Sequence, residues 1–226
     1  MKTKFNATTQ SLTFILSMFT LTFLGILLII HIILTFIDDP TSTFLGVGVR
    51  TARIYFAVVG ITTVLGFLEW AINSGVSRKT FFKSIMTSAL LTTIVLVIVL
   101  AIISFIISFT PLAGDYLIEE EIKGLSAFGN ILFVLLQSPL FFVVGSLIGA
   151  AFNKNFSLGM TSILSGIIII VALIFSESLM NYLVSLGTMW AYLGHLVVVV
   201  MTLIYTWILW RLLKDMPVKE IGRAHV

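Results

Sequence analysis

The chain of 226 residues has no cysteine, four prolines and only 10% charged residues. Without cysteine there are no disulfides, thiolate nucleophiles or cysteine-based metal sites. The low charge excludes an ordinary soluble domain, because such domains carry about 25% charged residues. What the chain has instead is apolar: 59% of its residues are hydrophobic and its mean hydropathy is +1.16. This composition predicts an integral membrane protein.

The sequence also lacks the common catalytic and nucleotide-binding patterns. It has no G-x-x-x-x-G-K-[ST] loop, so any ATP that drives this protein must be bound by another polypeptide. It has no H-E-x-x-H motif, and its histidines and acids are not clustered at metal-ligand spacing. The connectors between apolar runs leave no room for a soluble catalytic domain. We therefore predict no enzyme activity, no metal and no cofactor in this chain.

Six apolar runs are long enough to cross a bilayer as helices, which takes about 20 residues. The runs are continuous rather than alternating, which favours helices over a barrel. They cover residues 11–37, 54–72, 85–110, 125–152, 158–179 and 188–210. The sequence thus predicts an all-α polytopic membrane protein with a single transmembrane domain over residues 1–219. Pro139 predicts a kink in the fourth span, because proline lacks the N–H of the helical hydrogen bond.

The distribution of basic residues predicts the orientation. Cytoplasmic segments of membrane proteins collect Lys and Arg. With the N-terminus inside, the inner segments would carry Lys2, Lys4, Arg78, Lys79, Lys83, Lys154, Arg211, Lys214 and Lys219. The outer segments would carry only Arg50, Arg53 and Lys123. We expect both termini in the cytoplasm and explain the basic excess by topology, not by nucleic-acid binding.

The last residues, 220–226, look foreign to the rest of the chain. They match what a common sequencing-adapter DNA encodes in this frame. We expect them to be a non-native tail, with the natural chain differing after about Lys219.

We single out three ionisable residues of the predicted spans, because such residues are costly in a membrane and often functional. His31 and His195 lie in the outer halves of the first and sixth spans and either share a polar cavity or are neutral imidazoles bonded between helices. Glu69 lies at the inner end of the second span. It either guides a proton or is a structural carboxylate that pairs with Arg78 or Lys79.

The fourth span carries two further features. Gly145 and Gly149 form a small-x-x-x-small pair, which lets helices approach closely and favours internal packing. Gln137 and Pro139, earlier in the same span, either line a conduit or shape the bundle.

The second and third spans are joined by a segment that we call the basic connector, residues 75–84. If helical from Ser77, which can cap a helix, the segment would place Phe81 and Phe82 toward lipid. Arg78 and Lys79 would then face headgroups or a soluble protein. The alternative is an ordinary loop with a few positive charges.

The run Asn-Ser-Gly-Val-Ser-Arg-Lys-Thr-Phe-Phe-Lys-Ser over 73–84 resembles the cytoplasmic connector of ABC-2-type transporter permeases, especially small Gram-positive members. Residues 145–154 and 210–219 support the resemblance, which extends over the chain to Lys219. It implies that the connector holds the coupling helix that docks into an ATPase. That helix would consist of Gly75, Val76, Ser77, Arg78, Lys79, Thr80, Phe81 and Phe82.

The resemblance further implies a type V exporter-like fold of six helices in the bacterial plasma membrane. Two such permease subunits, identical or different, would assemble with two separate ATPase subunits that bind ATP and Mg. Members of the family mostly export peptides, drugs, lipids or polysaccharides. Their connector between spans five and six often re-enters the membrane, and residues 176–187 fit that role. One departure is the N-terminus, where only about ten residues precede the first span instead of an amphipathic helix.

Two other classes of function remain open on the residues alone. A self-contained proton-coupled carrier would use His31, Glu69 and His195. A non-transporting membrane protein, such as an immunity or assembly factor, would need none of them. The substrate, the direction of transport and the choice between homodimer and heterodimer do not follow from the sequence.

Overall fold

The computed structural model describes residues 2–37, 44–110, 127–155, 157–161 and 188–216. Over these ranges the chain forms five long α-helices and no strand. The helices are α1 (Lys2–Ile37), α2 (Phe44–Asn73), α3 (Arg78–Ile107), α4 (Ala127–Lys154) and α5 (Thr188–Lys214). Each contains a stretch long and apolar enough to cross a membrane. The prediction of a helical, multi-pass membrane protein is confirmed at this level.

Five of the six predicted spans correspond to these helices. The predicted fifth span, residues 158–179, lies outside the described residues except for its first four, which belong to a short helical segment over 157–161. The predicted re-entrant element at 176–187 and the predicted foreign tail at 220–226 also lie outside them.

The first helix begins much earlier than its apolar run. We expected the span to start near residue 11 after a short polar segment, but α1 is continuous from Lys2. Its polar first turns are stabilised by packing along α3. The hydroxyl of Thr9 donates to Ser84 Oγ at 3.1 Å, and that of Thr13 donates to Ser88 Oγ at 3.0 Å. These contacts stabilise the start of α1 as a helix, although its hydropathy does not predict a membrane span there.

Contacts between the helices define their directions. The pairs Thr9–Ser84 and Thr13–Ser88 advance together by one helical turn, so α1 and α3 run parallel. A tight turn joins α2 to α3, which makes these two helices antiparallel. The bonds from α4 to α2, Ser146 Oγ to Gly60 O and Asn153 Nδ2 to Val64 O, make α2 and α4 parallel.

One end of the bundle therefore gathers the starts of α1 and α3 and the ends of α2, α4 and α5. Arg78, at the start of α3, lies against Lys214, at the end of α5. We call this end the basic end, because the described residues there include Lys4, Arg78, Lys79, Lys83, Lys154, Arg211 and Lys214. Since α5 has 27 residues and a helix rises 1.5 Å per residue, α5 begins about 40 Å away at the opposite end.

The main core is formed by α2, α4 and the first half of α3, and it also includes Leu12 and Leu16 of α1 and Leu209 and Leu213 of α5. Phe56, Phe81 and Phe142 are its largest fully enclosed side chains. A smaller cluster around Leu24 and Leu100 joins α1, α2 and α3 toward the opposite end. Large apolar side chains on α1, α3 and α5 are widely exposed, which is typical of surfaces that face lipid.

Candidate functional site

The basic connector starts where α2 ends. Gly75 has φ of +73°, a left-handed conformation that glycine adopts without steric cost. The N–H of Gly75 donates to Ile72 O and that of Val76 to Ala71 O, both at 2.9 Å. These two bonds form a Schellman motif, which satisfies the last carbonyl groups of α2 and turns the chain sharply. The Gly-led start of the connector is thus a helix C-cap.

The next helix, α3, begins at Arg78. Ser77 has extended backbone angles, and its hydroxyl oxygen accepts a bond from the N–H of Thr80 at 3.2 Å, so Ser77 is the N-cap of α3. Arg78 is the first residue of α3. No separate helix therefore lies between α2 and α3. The coupling helix implied over 75–82 is divided between a turn and the first helical turn of α3.

One face of this segment is locked into the core. Val76 and Thr80 are buried and Phe81 is 0% exposed. Phe82 is half-buried and packs on Trp210 of α5 with ring centroids 5.2 Å apart. Our expectation that both phenylalanines face lipid is wrong for Phe81, because α3 turns that side chain into the main core.

The opposite face carries the charge. Lys79 is exposed, and the Arg78 guanidinium donates to the carbonyl oxygen of Lys214 at 3.3 Å. A cation at this place also interacts favourably with the negative end of the α5 dipole. On the other side of the turn, Lys4 Nζ donates to Gly75 O at 3.1 Å. The connector is consequently tied to α1 and α5 as well as to the two helices that it joins.

Glu69 does not pair with the cations of this surface, although one of the two alternatives predicted that it would. It is half-buried one turn before the end of α2, and in the described part of the chain it forms no ion pair with Arg78 or Lys79. Further positive charge comes from α5, where Arg211 lies over the ring of Trp207 at 5.1 Å. The exposed end of the connector is therefore a cationic surface with a rigid backbone beneath it.

Sequence reasoning missed the residues that hold the connector in place. Lys4 was counted only as a marker of orientation, and Trp210 only as an aromatic residue at the inner end of a span, within the stretch 210–219 that supports the resemblance. Their contacts join positions that lie 71 residues apart, for Lys4 and Gly75, or more. No local sequence pattern indicates such pairs.

The two intramembrane histidines lie on helices with different neighbours. His31 is buried on α1, edge-on to Phe44 with centroids 5.3 Å apart. Its Nε2 has no hydrogen-bond partner in the described structure. His195 is buried on α5, which packs on α4 and α3, whereas α1 packs on α3 and α2. The two histidines thus lie on helices with different main neighbours, and Glu69 lies at the basic end, near the end of α2.

Gln137 is the most unusual polar residue of α4. It is 1% exposed, two residues before Pro139, and neither its Oε1 nor its Nε2 has a hydrogen-bond partner among the described residues. Thr92 of α3 is likewise buried with an unpaired hydroxyl. A buried unpaired amide costs about 1–3 kcal/mol, so its presence calls for a structural or functional reason.

Gly145 and Gly149 lie where α4 crosses α2. A Cβ on Gly145 would overlap the carbonyl oxygen of Ala57, and one on Gly149 would lie 2.7 Å from Ile61 O. Gly60 of α2, which the sequence analysis did not single out, meets the backbone of Phe142 in the same way. Glycines on both helices thus let the two backbones touch and fix the centre of the bundle.

The chain matches no protein-family model, no curated protein and no solved structure.

Proposed function

We propose that this chain is the membrane-spanning permease subunit of an ABC-type exporter, driven by ATP hydrolysis on a separate subunit. The proposal rests on the resemblance of the basic connector and of residues 145–154 and 210–219 to ABC-2-type permeases. ATP and Mg would bind to the partner ATPase. Two permease subunits, identical or different, would form the complete transporter in the bacterial plasma membrane.

One observation supports this proposal above the others. The turn at Gly75 and the start of α3 form a rigid cationic surface that contacts α1 through Lys4 and α5 through Arg78. A partner that pushes on this surface would move four helices together. Such a connection is what an ATPase needs in order to convert its own closure into a change of the membrane helices.

The surface that a partner can reach is smaller than the resemblance implies. Gly75, Ser77 and Lys79 are exposed and Arg78 is partly so. Val76, Thr80 and Phe81 are enclosed by the protein and would serve as its anchor. We assign the docking contacts to the exposed residues and the transmission of force to the buried ones.

The directions of the helices support the six-span topology that belongs to this proposal. α4 ends at the basic end, whereas α5 begins at the opposite end. A further span between them, at the predicted residues 158–179, would carry the chain from the basic end back to the opposite end. The concentration of cations at the basic end favours a cytoplasmic location for it, where ATPase subunits reside.

The alternative of a proton-coupled carrier has less support. It needs His31, Glu69 and His195 to form a relay, yet Glu69 lies at the basic end and the histidines lie on α1 and α5, which have different main neighbours. A non-transporting immunity or assembly protein would not need a rigid cationic surface linked to four helices. Either alternative predicts a folded protein that acts without an ATPase.

A purification experiment tests the proposal. Residues 1–219 would be expressed in the native host, extracted in mild detergent and examined by mass spectrometry for a co-purifying ABC ATPase, with Mg-ATP hydrolysis measured on the complex. We expect an ATPase to be recovered with the wild-type chain. The variant Lys79→Glu, and more strongly Arg78→Glu/Lys79→Glu, should lose it.

The matched control is Lys154→Glu, because Lys154 is also an exposed lysine at the basic end but lies on α4. It changes the charge equally and should keep the ATPase. Recovery of a folded chain without any ATPase would refute the proposal. Loss of the partner from both lysine variants would show that net charge rather than the connector matters.

A further inference from the structure

A small pocket lies beside the connector, between the first turns of α1 and the end of α2. Its volume is about 210 Å³, below the roughly 300–1,000 Å³ that is typical for drug-sized ligands. Four lining residues, Lys4, Ala7, Thr8 and Ser11, form one face of α1, and Trp70, Ser74 and Val76 close the other side. The pocket is thus of a size for a headgroup rather than for a whole amphipathic molecule.

The lining offers hydrogen-bond donors and one positive charge. Lys4 Nζ uses one of its three donors on Gly75 O, which leaves two for a ligand. The hydroxyl of Ser11 and the indole N–H of Trp70 have no hydrogen-bond partner in the described structure. Thr8 and Ser74 instead donate to backbone carbonyls, of Lys4 and Trp70 respectively.

No acid lines this pocket, so its charge is uncompensated. Glu69 precedes Trp70 in the chain but is not part of the lining. An ammonium group with neighbouring O–H and N–H donors is well suited to a phosphate oxygen, to which it forms short charge-assisted bonds. The chemistry of the site therefore selects an anion with several acceptors.

The position of the pocket selects the source of that anion. The apolar run of α1 begins at residue 11, and α2 ends at Asn73, so the pocket lies where the helices leave the hydrocarbon. Trp70 is 48% exposed at this level, as interfacial tryptophans are. This is the depth of lipid headgroups, whichever face of the membrane the basic end occupies.

We propose that this pocket binds the phosphodiester headgroup of an anionic phospholipid through Lys4, Ser11 and Trp70. Because Lys4 also bonds to Gly75 O, a bound lipid holds the start of α1 against the turn at the end of α2. Lipid charge would thereby stiffen the connector. The inference does not depend on the ATPase partner, since it rests only on the pocket and its depth.

The test compares the wild-type chain in nanodiscs of phosphatidylglycerol with the same protein in nanodiscs of phosphatidylcholine, whose phosphodiester is neutralised by the choline cation and therefore offers Lys4 no net negative charge. We expect Tm to be higher in phosphatidylglycerol by roughly 2–4 °C, the shift that modest ligand stabilisation gives in a chain of this size. Lys4→Gln should abolish this difference, and Lys4→Arg should keep it. Using the difference between two lipids cancels any general loss of stability in a variant.

Two controls make the result decisive. Lys154→Gln removes an equal charge elsewhere at the basic end and should keep the lipid difference. Inorganic phosphate added to detergent-purified protein should not raise Tm; if it does so as strongly as phosphatidylglycerol, the site binds free anions and the lipid proposal fails. An unchanged lipid difference in Lys4→Gln also overturns the proposal.

A second pair of variants covers the case in which Lys4→Gln does not fold. Ser11→Ala and Trp70→Phe remove single donors and leave the Lys4–Gly75 contact in place. Each should reduce the difference in Tm between the two lipids. If both variants retain the full difference, the pocket is not the lipid site.

Discussion

The guanidinium of Arg78, at the first residue of α3, donates a hydrogen bond of 3.3 Å to the carbonyl oxygen of Lys214, at the last residue of α5. Together with the bond from Lys4 to Gly75 O, it joins four helix ends around one short turn. Neither bond is buried, so each contributes little energy alone. Their main effect is geometric, because they fix the position of the turn and of the exposed Lys79 beside it.

The orientation of the bundle can be tested directly, because the chain has no cysteine of its own. Ser74 and Ser108 are exposed and lie beyond opposite ends of α3, which is about 45 Å long with its 30 residues. With the basic end in the cytoplasm, a membrane-impermeant maleimide on intact cells should label Ser108→Cys and not Ser74→Cys. A permeant reagent should label both, and the reverse pattern with the impermeant reagent would overturn the N-in, C-in topology.

Substitution of Gly145 should strongly destabilise the protein. The Cβ of Gly145→Ala would overlap Ala57 O, and backbone cannot move aside as a flexible side chain can. We expect a loss of at least about 1–3 kcal/mol in the free energy of unfolding, the usual cost of overpacking. Denaturant titration in detergent would measure it.

The control for this substitution is Gly25→Ala on α1. Nothing lies within 4 Å of a Cβ at Gly25. Alanine is also favoured over glycine in a helix by about 0.5–1 kcal/mol. Gly25→Ala should therefore leave stability unchanged or raise it, and equal losses in both variants would contradict the close contact of α4 with α2.

Gly75→Ala should weaken the turn for a different reason. A left-handed residue with a Cβ costs about 1–2 kcal/mol, and φ at Gly75 is +73°. We expect a lower Tm and, under the proposed function, weaker recovery of the ATPase.

Gly66→Ala is the comparison for that variant, because Gly66 lies within α2 with open space at its Cβ position. It should show no loss of Tm. A Gly75→Ala variant as stable as Gly66→Ala would mean that the turn can adopt another backbone conformation at no cost.

Gln137→Leu should raise stability. Both amide atoms of Gln137 are buried without a hydrogen-bond partner, which costs about 1–3 kcal/mol, and leucine of similar size removes that cost. The free energy of unfolding should rise by up to this amount, whereas Gln10→Leu, at an exposed position on α1, should change it little. A clear loss of stability in Gln137→Leu would show that the amide is bonded in the membrane-embedded protein.

Sequence reasoning located the helices but not all of their ends. Apolar runs identify the segments that lie in the hydrocarbon of the membrane. They do not identify polar helical turns that extend beyond the hydrocarbon. The first turns of α1, around Lys4 and Thr9, belong to this type, because contacts with the turn at Gly75 and with α3 stabilise them. The start of α2 at Phe44, ahead of the run that begins near residue 54, is another case.

In the candidate site, too, local features were predicted correctly and long-range contacts were not. Ser77 was expected to cap a helix, and it does, because capping is a local bond to the N–H of Thr80. The burial of Phe81 was predicted wrongly, because it depends on where the other helices of the core lie. Gly60 was not singled out, since the sequence does not reveal which helix α4 crosses.

The sequence alone determined that this is a helical membrane protein and that its basic residues are gathered at one side of most spans. These properties follow from the cost of placing polar groups in hydrocarbon, which is paid residue by residue. The tertiary structure alone decided that α2 and α4 touch through glycines and that the connector is tied to α1 and α5. Such pairings depend on the shape and position of distant surfaces, and so no local pattern in the chain encodes them.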